Sequence, residues 1–197
     1  MREKAKRKVP FAIKIVLIAL VAVVMFGGGL FAKMQYEQGV MTPLNTGEVI
    51  SGVYAINNGF VSFYLVKNGD QYLMIDAGND IRQTEAALEQ LKIPVDAIKA
   101  VLLTHSDGDH ITTLSLFSDA QIYLPALEVQ MIDGTTRRSP MGHNRLEQDY
   151  IALDDGEEVN LLGFDVRCIS TPGHTPGSMC FLLDGRYPRK SILNKMT

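Results

Sequence analysis

The 197-residue chain contains two cysteines, Cys168 and Cys180, and no tryptophan. Two thiols are too few for a disulfide-stapled scaffold, and they lack the close spacing of a zinc knuckle. The first reading is a pair of small apolar residues on strands; a disulfide between neighbouring strands, outside the cytoplasm, is the second. Excess positive charge is missing as well. The formal net charge is −3, and six of the 19 basic residues lie within residues 1–14 beside Glu3, which leaves 13 basic against 21 acidic residues in the remainder. Such a balance argues against a surface built to coat nucleic acid, and no nucleic-acid partner is expected. Internal repeats and low-complexity segments are also absent. A composition of 46 % hydrophobic and 21 % charged residues suits one globular domain behind a targeting segment.

That segment is the clearest organisational feature. The basic flank, residues 1–14, precedes an apolar run from Ile15 to Ala32 with no polar face, close to the length that crosses a hydrocarbon core of ~30 Å. Lys14 can snorkel to the interface, which lets residues 10–13 extend the span. The positive-inside rule then predicts a single-pass anchor at the cell membrane, N-terminus inside and domain outside. A cleaved signal peptide is the alternative, weakened by the length of the run and by Leu30-Phe31-Ala32 where small residues are needed. No cysteine follows to carry a lipid. Residues 33–46, polar and glycine-containing, read as a stalk.

From residue 47 the pattern alternates short strands with a few helices. "VISGVYAINN" and "FVSFYLVKNGDQYLMIDAG" are rich in β-branched and aromatic residues, and Asn68-Gly69-Asp70 makes a turn. "DIRQTEAALEQLKI" has helical spacing, a cap at Asn79 or Asp80, and a stop before Pro94. "AIKAVLLT" reads as a strand buried on both faces, and "ITTLSLFSDAQIYLP" as a short helix followed by a strand. "EVNLLGFDVRCIST" and "SMCFLLDG" supply three more strands, the first two turning near Gly163.

Directly after "AVLLT" comes "HSDGDH", four residues of metal-ligand type within residues 105–110. Positions 105, 107 and 109 alternate and can face one side, with His110 next, a set that suits one or two divalent cations. A polar turn held by local backbone hydrogen bonds is the plainer explanation. A second stretch, "TPGHTPGS", sets His174 between two Pro-Gly pairs, so three of the four histidines occupy two rigid loops. His143 matches no ligand pattern and reads as a surface residue.

The order "IDAG" at residues 75–78, then "HSDGDH", then "PGHTPG" resembles the metallo-β-lactamase fold superfamily over about residues 49–187. The resemblance implies an α/β fold, an αββα sandwich of two sheets behind the transmembrane helix. It implies His105 and His174 on a first metal and Asp109 and His110 on a second. Zinc is the expected cofactor, as one or two ions, and a bridging water acidified to a pKa of ~7 would serve as hydroxide nucleophile. Asp109 is the candidate for positioning that water, and Asp76 a structural residue at the rim. Asp107 stands where the motif usually has its second histidine, which makes the first site richer in oxygen and opens it to manganese or iron. Thr112-Thr113 replaces a glycine pair and is expected to crowd the backbone.

A family-like domain would continue into a strand ending Thr-Gly-Asp, about 18 residues beyond the loop histidine, and later supply one more histidine. Here Asp184-Gly185 reads as a turn and residues 188–197 as a divergent tail with Pro188, Arg189 and Lys190 where an apolar strand belongs. The expectation is therefore a partial domain, residues 47–187, incomplete at its C-terminus. Its second sheet would leave "YLMIDAG" and "AVLLT" poorly covered and the soluble part prone to aggregate. The resemblance is compatible with two functions. One is a metal-dependent hydrolase of an ester, thioester, lactone or phosphodiester small-molecule substrate, with the phosphodiester resting on Asp107 alone. The other is a truncated, non-catalytic product that binds at most one metal weakly.

Overall fold

The computed structural model describes residues 10–40, 42–137 and 145–184. They belong to two units, divided between Thr42 and Pro43. In the first, helix α1 (Phe11–Val40) starts behind Pro10, whose carbonyl accepts the N–H groups of Ile13 and Lys14. Proline suits that place because it has no N–H to leave unpaired. Its 30 residues extend about 45 Å at 1.5 Å per residue, and Phe11–Glu37 is long and apolar enough to cross a membrane. Signal sequences share that length and composition. The helix continues past Ala32 through most of the segment read as a stalk. Residues 32–37 are good helix formers, and Lys33 pairs with Glu37 at 3.7 Å across one turn.

The second unit carries a mixed seven-stranded sheet and an antiparallel three-stranded sheet. Strands β1 (Gly47–Ile50), β2 (Val53–Asn58), β3 (Val61–Asn68) and β4 (Gln71–Ile75) form an antiparallel meander, with the expected turn at Gly69. Helix α2 (Ile81–Leu91) then crosses over to β5 (Ile98–Leu102), which runs parallel to β4. Asp80 caps α2 by accepting from the N–H of Gln83, and Lys92 closes it in the left-handed region. Strands β6 (Gln121–Pro125) and β7 (Tyr150–Leu153) extend the parallel part. Between β5 and β6 lie a single helical turn, α3 (Gly108–Ile111), and a 3-10 segment, Thr112–Leu116; after β6 comes α4 (Val129–Ile132). The second sheet is β8 (Glu158–Leu161), β9 (Phe164–Ser170) and β10 (Met179–Asp184). Leu162 and Gly163, both at positive φ, turn β8 into β9.

Alternation along β4 and β5 separates two cores. Tyr72, Met74, Val101 and Leu103 face α2 and the 3-10 segment, where Leu88, Leu114 and Phe117 meet them. Leu73, Ile75, Ala100 and Leu102 face the three-stranded sheet and pack on Phe164, Val166, Cys168 and Leu183. The expectation that "YLMIDAG" and "AVLLT" would be poorly covered is therefore corrected: Leu73 through Ile75 and Ala100 through Leu103 are all buried. Three strands suffice because the faces they present, Leu161, Phe164, Val166 and Met179 among them, are themselves buried on the opposing strands. On the outer face of the three-stranded sheet the β9 side chains of Asp165, Arg167 and Ile169 are exposed. The tail at residues 188–197 and His143 lie outside the described residues.

Register also decides the cysteine question. Cys168 pairs with Phe181 and Cys180 with Ile169, so the thiols project from opposite faces of one sheet. Both are free, and burial, reinforced by Glu157 and Asp155, pushes the Cys168 thiol up to about 11. At about pH 8 a thiol reagent should modify Cys180 in the folded chain and reach Cys168 only after denaturant is added. A Cys168–Cys180 linkage in a non-reducing peptide map would refute that assignment.

Candidate metal centre

The site lies where β4, β5 and the β9–β10 hairpin end. Beyond Ile75 the chain turns sharply, with Asp76 at φ 59 and Gly78 at φ 79. The turn is held from below by Asn58, which is fully buried. Its Oδ1 accepts from the N–H groups of Asn79 and Asp80 at 2.7 Å each, while its Nδ2 donates to the carbonyl of Asp80 and the hydroxyl of Thr84. A Cβ on Gly78 would lie 2.8 Å from Asn58 Oδ1, so the glycine of "IDAG" is required by space as well as by φ.

Asp76 faces the site, and its Oδ1 accepts the Thr104 N–H at 2.8 Å. The Thr104 hydroxyl lies 2.8 Å from Asp76 Oδ2 and 3.0 Å from His105 Nδ1. A hydroxyl has one proton. Given to the carboxylate, it leaves a lone pair for Nδ1–H of His105, so the network assigns His105 the tautomer whose Nε2 carries a lone pair. That Nε2 is buried and has no hydrogen-bond partner. His110 Nδ1 is 2.9 Å from Asp76 Oδ2, an ion-pair separation. One carboxylate thus orients two imidazoles, directly and through Thr104. The role assigned to Asp76 at the rim becomes that of an orienting group.

Asp107 is extended and caps α3 through backbone geometry alone, without a side-chain capping bond. Its carboxylate instead lies 3.0 Å from His174 Nε2 and 3.6 Å from His105 Nε2. His105, Asp107 and His174 each offer an atom within 4.8 Å of the others, and the His105 and His174 rings stand edge to face with centroids 4.8 Å apart. Asp109 does not join them. The expected alternation of 105, 107 and 109 ends at Asp107 because the chain enters α3 at Gly108. Asp109 pairs with His110 Nε2 at 3.5 Å, and the His110 ring lies 4.0 Å from that of His105. Burial, then the charge of His110, lowers the His105 pKa against the pull of Asp76 and Asp107. Burial opposes charge on His110 too, yet Asp76, followed by Asp109 and Asp107, raises its pKa.

Both threonines bond to the backbone: the Thr112 hydroxyl donates to the Gly108 carbonyl. Thr113 donates its hydroxyl to the Ala77 carbonyl, and the Ala77 N–H donates to the His110 carbonyl, so this threonine stitches the two loops together. Met179 N–H donates to the Thr104 carbonyl and joins the sheets at the same end. Sequence reasoning missed Asn58, Thr104 and Glu128. An asparagine ending an apolar strand is the one signal among them that could have been read. Asn58→Ala would leave the Asn79 and Asp80 N–H groups unpaired in the interior and should cost roughly 2–4 kcal/mol in a denaturant titration. A loss within error of zero would mean that water replaces the amide.

The donor set fits a divalent metal: a buried imidazole nitrogen without a partner, a carboxylate and a second imidazole converge. Comparisons agree with that chemistry. Residues 56–186 match the model of the Metallo-beta-lactamase superfamily. The probable polyketide biosynthesis zinc-dependent hydrolase BaeB of Bacillus velezensis is 32 % identical over 114 residues, 56 % of this chain and 44 % of that protein. A hydroxyacylglutathione hydrolase of Aeromonas hydrophila is 29 % identical over 133 residues, 66 % of this chain and 44 % of that protein. This chain therefore spans about half the length of the curated relatives it matches. The crystal structure of BJP-1, a subclass B3 metallo-beta-lactamase of Bradyrhizobium japonicum, superposes with a TM-score of 0.62 at 17 % identity, covering 76 % of this chain and 60 % of that one.

Proposed function

The chain belongs to the metallo-beta-lactamase superfamily, and on that premise we propose that it is a membrane-anchored, metal-dependent hydrolase acting on an ester, thioester, lactone or phosphodiester. The observation that carries this reading is the convergence of His105, Asp107 and His174, with a buried His105 Nε2 that meets no hydrogen-bond partner. These three residues would hold a first ion, and Asp109 with His110 would contribute to a second. Zinc is the ion proposed, with manganese or iron as alternatives that the carboxylate of Asp107 admits. When bound, such an ion supplies Lewis acidity, which lowers the pKa of water and polarises the scissile carbonyl or phosphoryl group.

The protein's own part is orientation. Asp76 and Thr104 direct the Nε2 lone pair of His105 into the site. Asp109 is proposed to orient the attacking water by accepting its hydrogen bond from the rim, where its carboxylate is partly exposed. The exposed His174, on the loop between β9 and β10, closes the group from the second sheet.

A second reading, a non-catalytic product that holds one ion weakly, is favoured by one observation: His105, Asp107 and His174 are the one group of three potential ligands among the described residues. Metal content and turnover on a panel of the four ester classes separate the two. The hydrolase should lose turnover on chelation and recover it with zinc or manganese, and a His105→Ala, His174→Ala double variant should lose the ion. Unchanged metal content in that variant would exclude these ligands. Retained metal with no turnover on any class would favour the second reading.

The anchor is proposed with its N-terminus inside, because five basic residues precede Val9 and the apolar span follows Lys14. A reporter fused to the C-terminus should be active outside the cytoplasm. Activity confined to the cytoplasm would reverse the topology.

A further inference from the structure

Glu128 ends a 3-10 turn, Ala126–Glu128, immediately after β6, and is fully buried. Its Oε2 accepts from the N–H of Ser106 at 2.8 Å and from the Ser106 hydroxyl at 2.6 Å, while its Oε1 accepts from the N–H of Gly177 at 3.0 Å. Ser106 lies between His105 and Asp107, and Gly177 lies in the loop that carries His174. A single carboxylate therefore grips both ligand loops, which come from different sheets. The grip is close: a Cβ on Gly177 would lie 2.6 Å from the Glu128 backbone nitrogen and 2.7 Å from its Oε1. Glycine is needed there for approach.

We propose that Glu128 is a positioning residue that sets the separation of the two ligand loops, and through it the metal affinity of the His105, Asp107 and His174 group. The proposal rests on the reading of that group as a metal site. Glu128 is not among the converging ligand atoms and acts through Ser106 and Gly177. All three of its partners are donors, which a carboxylate accepts without conflict. Glutamine keeps the shape but turns an NH2 group toward the Gly177 N–H or toward Ser106, so donor faces donor and one loop must retreat. Aspartate is too short to reach both.

The test uses the full chain purified in detergent and Co(II) as the probe ion. Glu128→Gln should weaken Co(II) binding by about 10–100-fold and alter the visible spectrum of the bound ion. His174→Ala should weaken binding strongly in the wild type and only slightly in the Glu128→Gln background, because an unheld His174 has little left to lose. A merely structural carboxylate would lower the melting temperature and leave that cycle additive. In the metal-free protein the amides of Ser106 and Gly177 should exchange slowly, and faster together in Glu128→Gln. If that variant does not fold, Ser106→Ala, which deletes one donor and keeps the carboxylate, should still weaken Co(II) binding severalfold. Wild-type Co(II) affinity in whichever variant folds, or an additive cycle, overturns the proposal. A wild type that binds no Co(II) overturns the metal reading itself, and the proposal with it.

Discussion

Backbone N–H groups released where strands end must find acceptors inside the protein, and the whole site depends on how this is done. Sheet ladders stop at Ile75, Leu102 and Ser170, yet the chain beyond the first two stays buried for several residues. An unpaired N–H in such a place costs about as much as a lost hydrogen bond and its desolvation together. Three buried polar side chains take up the donors: Asn58 those of Asn79 and Asp80, Asp76 that of Thr104, and Glu128 those of Ser106 and Gly177. Each loop is thereby fixed at a point within a few residues of a candidate ligand or of the orienting carboxylate of Asp76. Loops held in this way can present imidazoles and carboxylates in a set arrangement, which mobile loops cannot.

Asn58 and Glu128 mark the limit of what could be read in the sequence, whereas Asp76 was legible in "IDAG" as a structural residue. The meander, α2 with its cap at Asp80, the doubly buried β5 and the β8–β9 turn all have local signals: period, turn residues, a stop before proline. They appear as expected. The two ligand loops were legible because histidine is scarce and the proline-glycine pairs around His174 are conspicuous. The features that could not be read depend on contacts distant in sequence. Glu128 looks like one of many acidic residues in a short amphipathic stretch, and its burial comes from the approach of Gly177, far along the chain. Strand β7 was missed because "YIAL" is brief and three of its four residues retain some exposure, so its pattern lacks a buried face. The separation of Asp109 from the alternating pair arises from a helical turn of four residues, too short to leave a period.

Cover of the sheet was misjudged for a related reason. A second sheet with only the strands from residue 158 to 183 was expected to leave "YLMIDAG" and "AVLLT" poorly covered. Shielding, however, is needed only where the larger sheet turns apolar side chains toward the smaller one, and those, from Val53 and Val66 through β4 and β5 to Leu153, are all buried. Leu73, Ile75, Ala100 and Leu102 meet Phe164, Val166, Cys168 and Leu183 there. Burial is worth ~25 cal/mol per Å², so stability depends on the apolar area covered more than on the number of strands.

Parallel pairing explains why residues so far apart in sequence meet at one end of the molecule. In register, Ile75 lies beside Leu102 and Leu102 beside Tyr123, so β4, β5 and β6 finish at nearly the same level. The segment leaving each strand is then delivered to one rim: Asp76 after β4, Thr104 and His105 after β5, and the turn bearing Glu128 after β6. Carboxyl ends of parallel strands offer this convergence in open α/β sheets generally. The antiparallel sheet adds one hairpin loop to the rim, the one with His174, and the Met179 to Thr104 hydrogen bond ties it there. A one-residue slip between β4 and β5 would exchange the two cores and also move Asp76 out of reach of Thr104. The requirement that keeps the two apolar faces apart is therefore the same one that aligns the orienting carboxylate with the imidazoles.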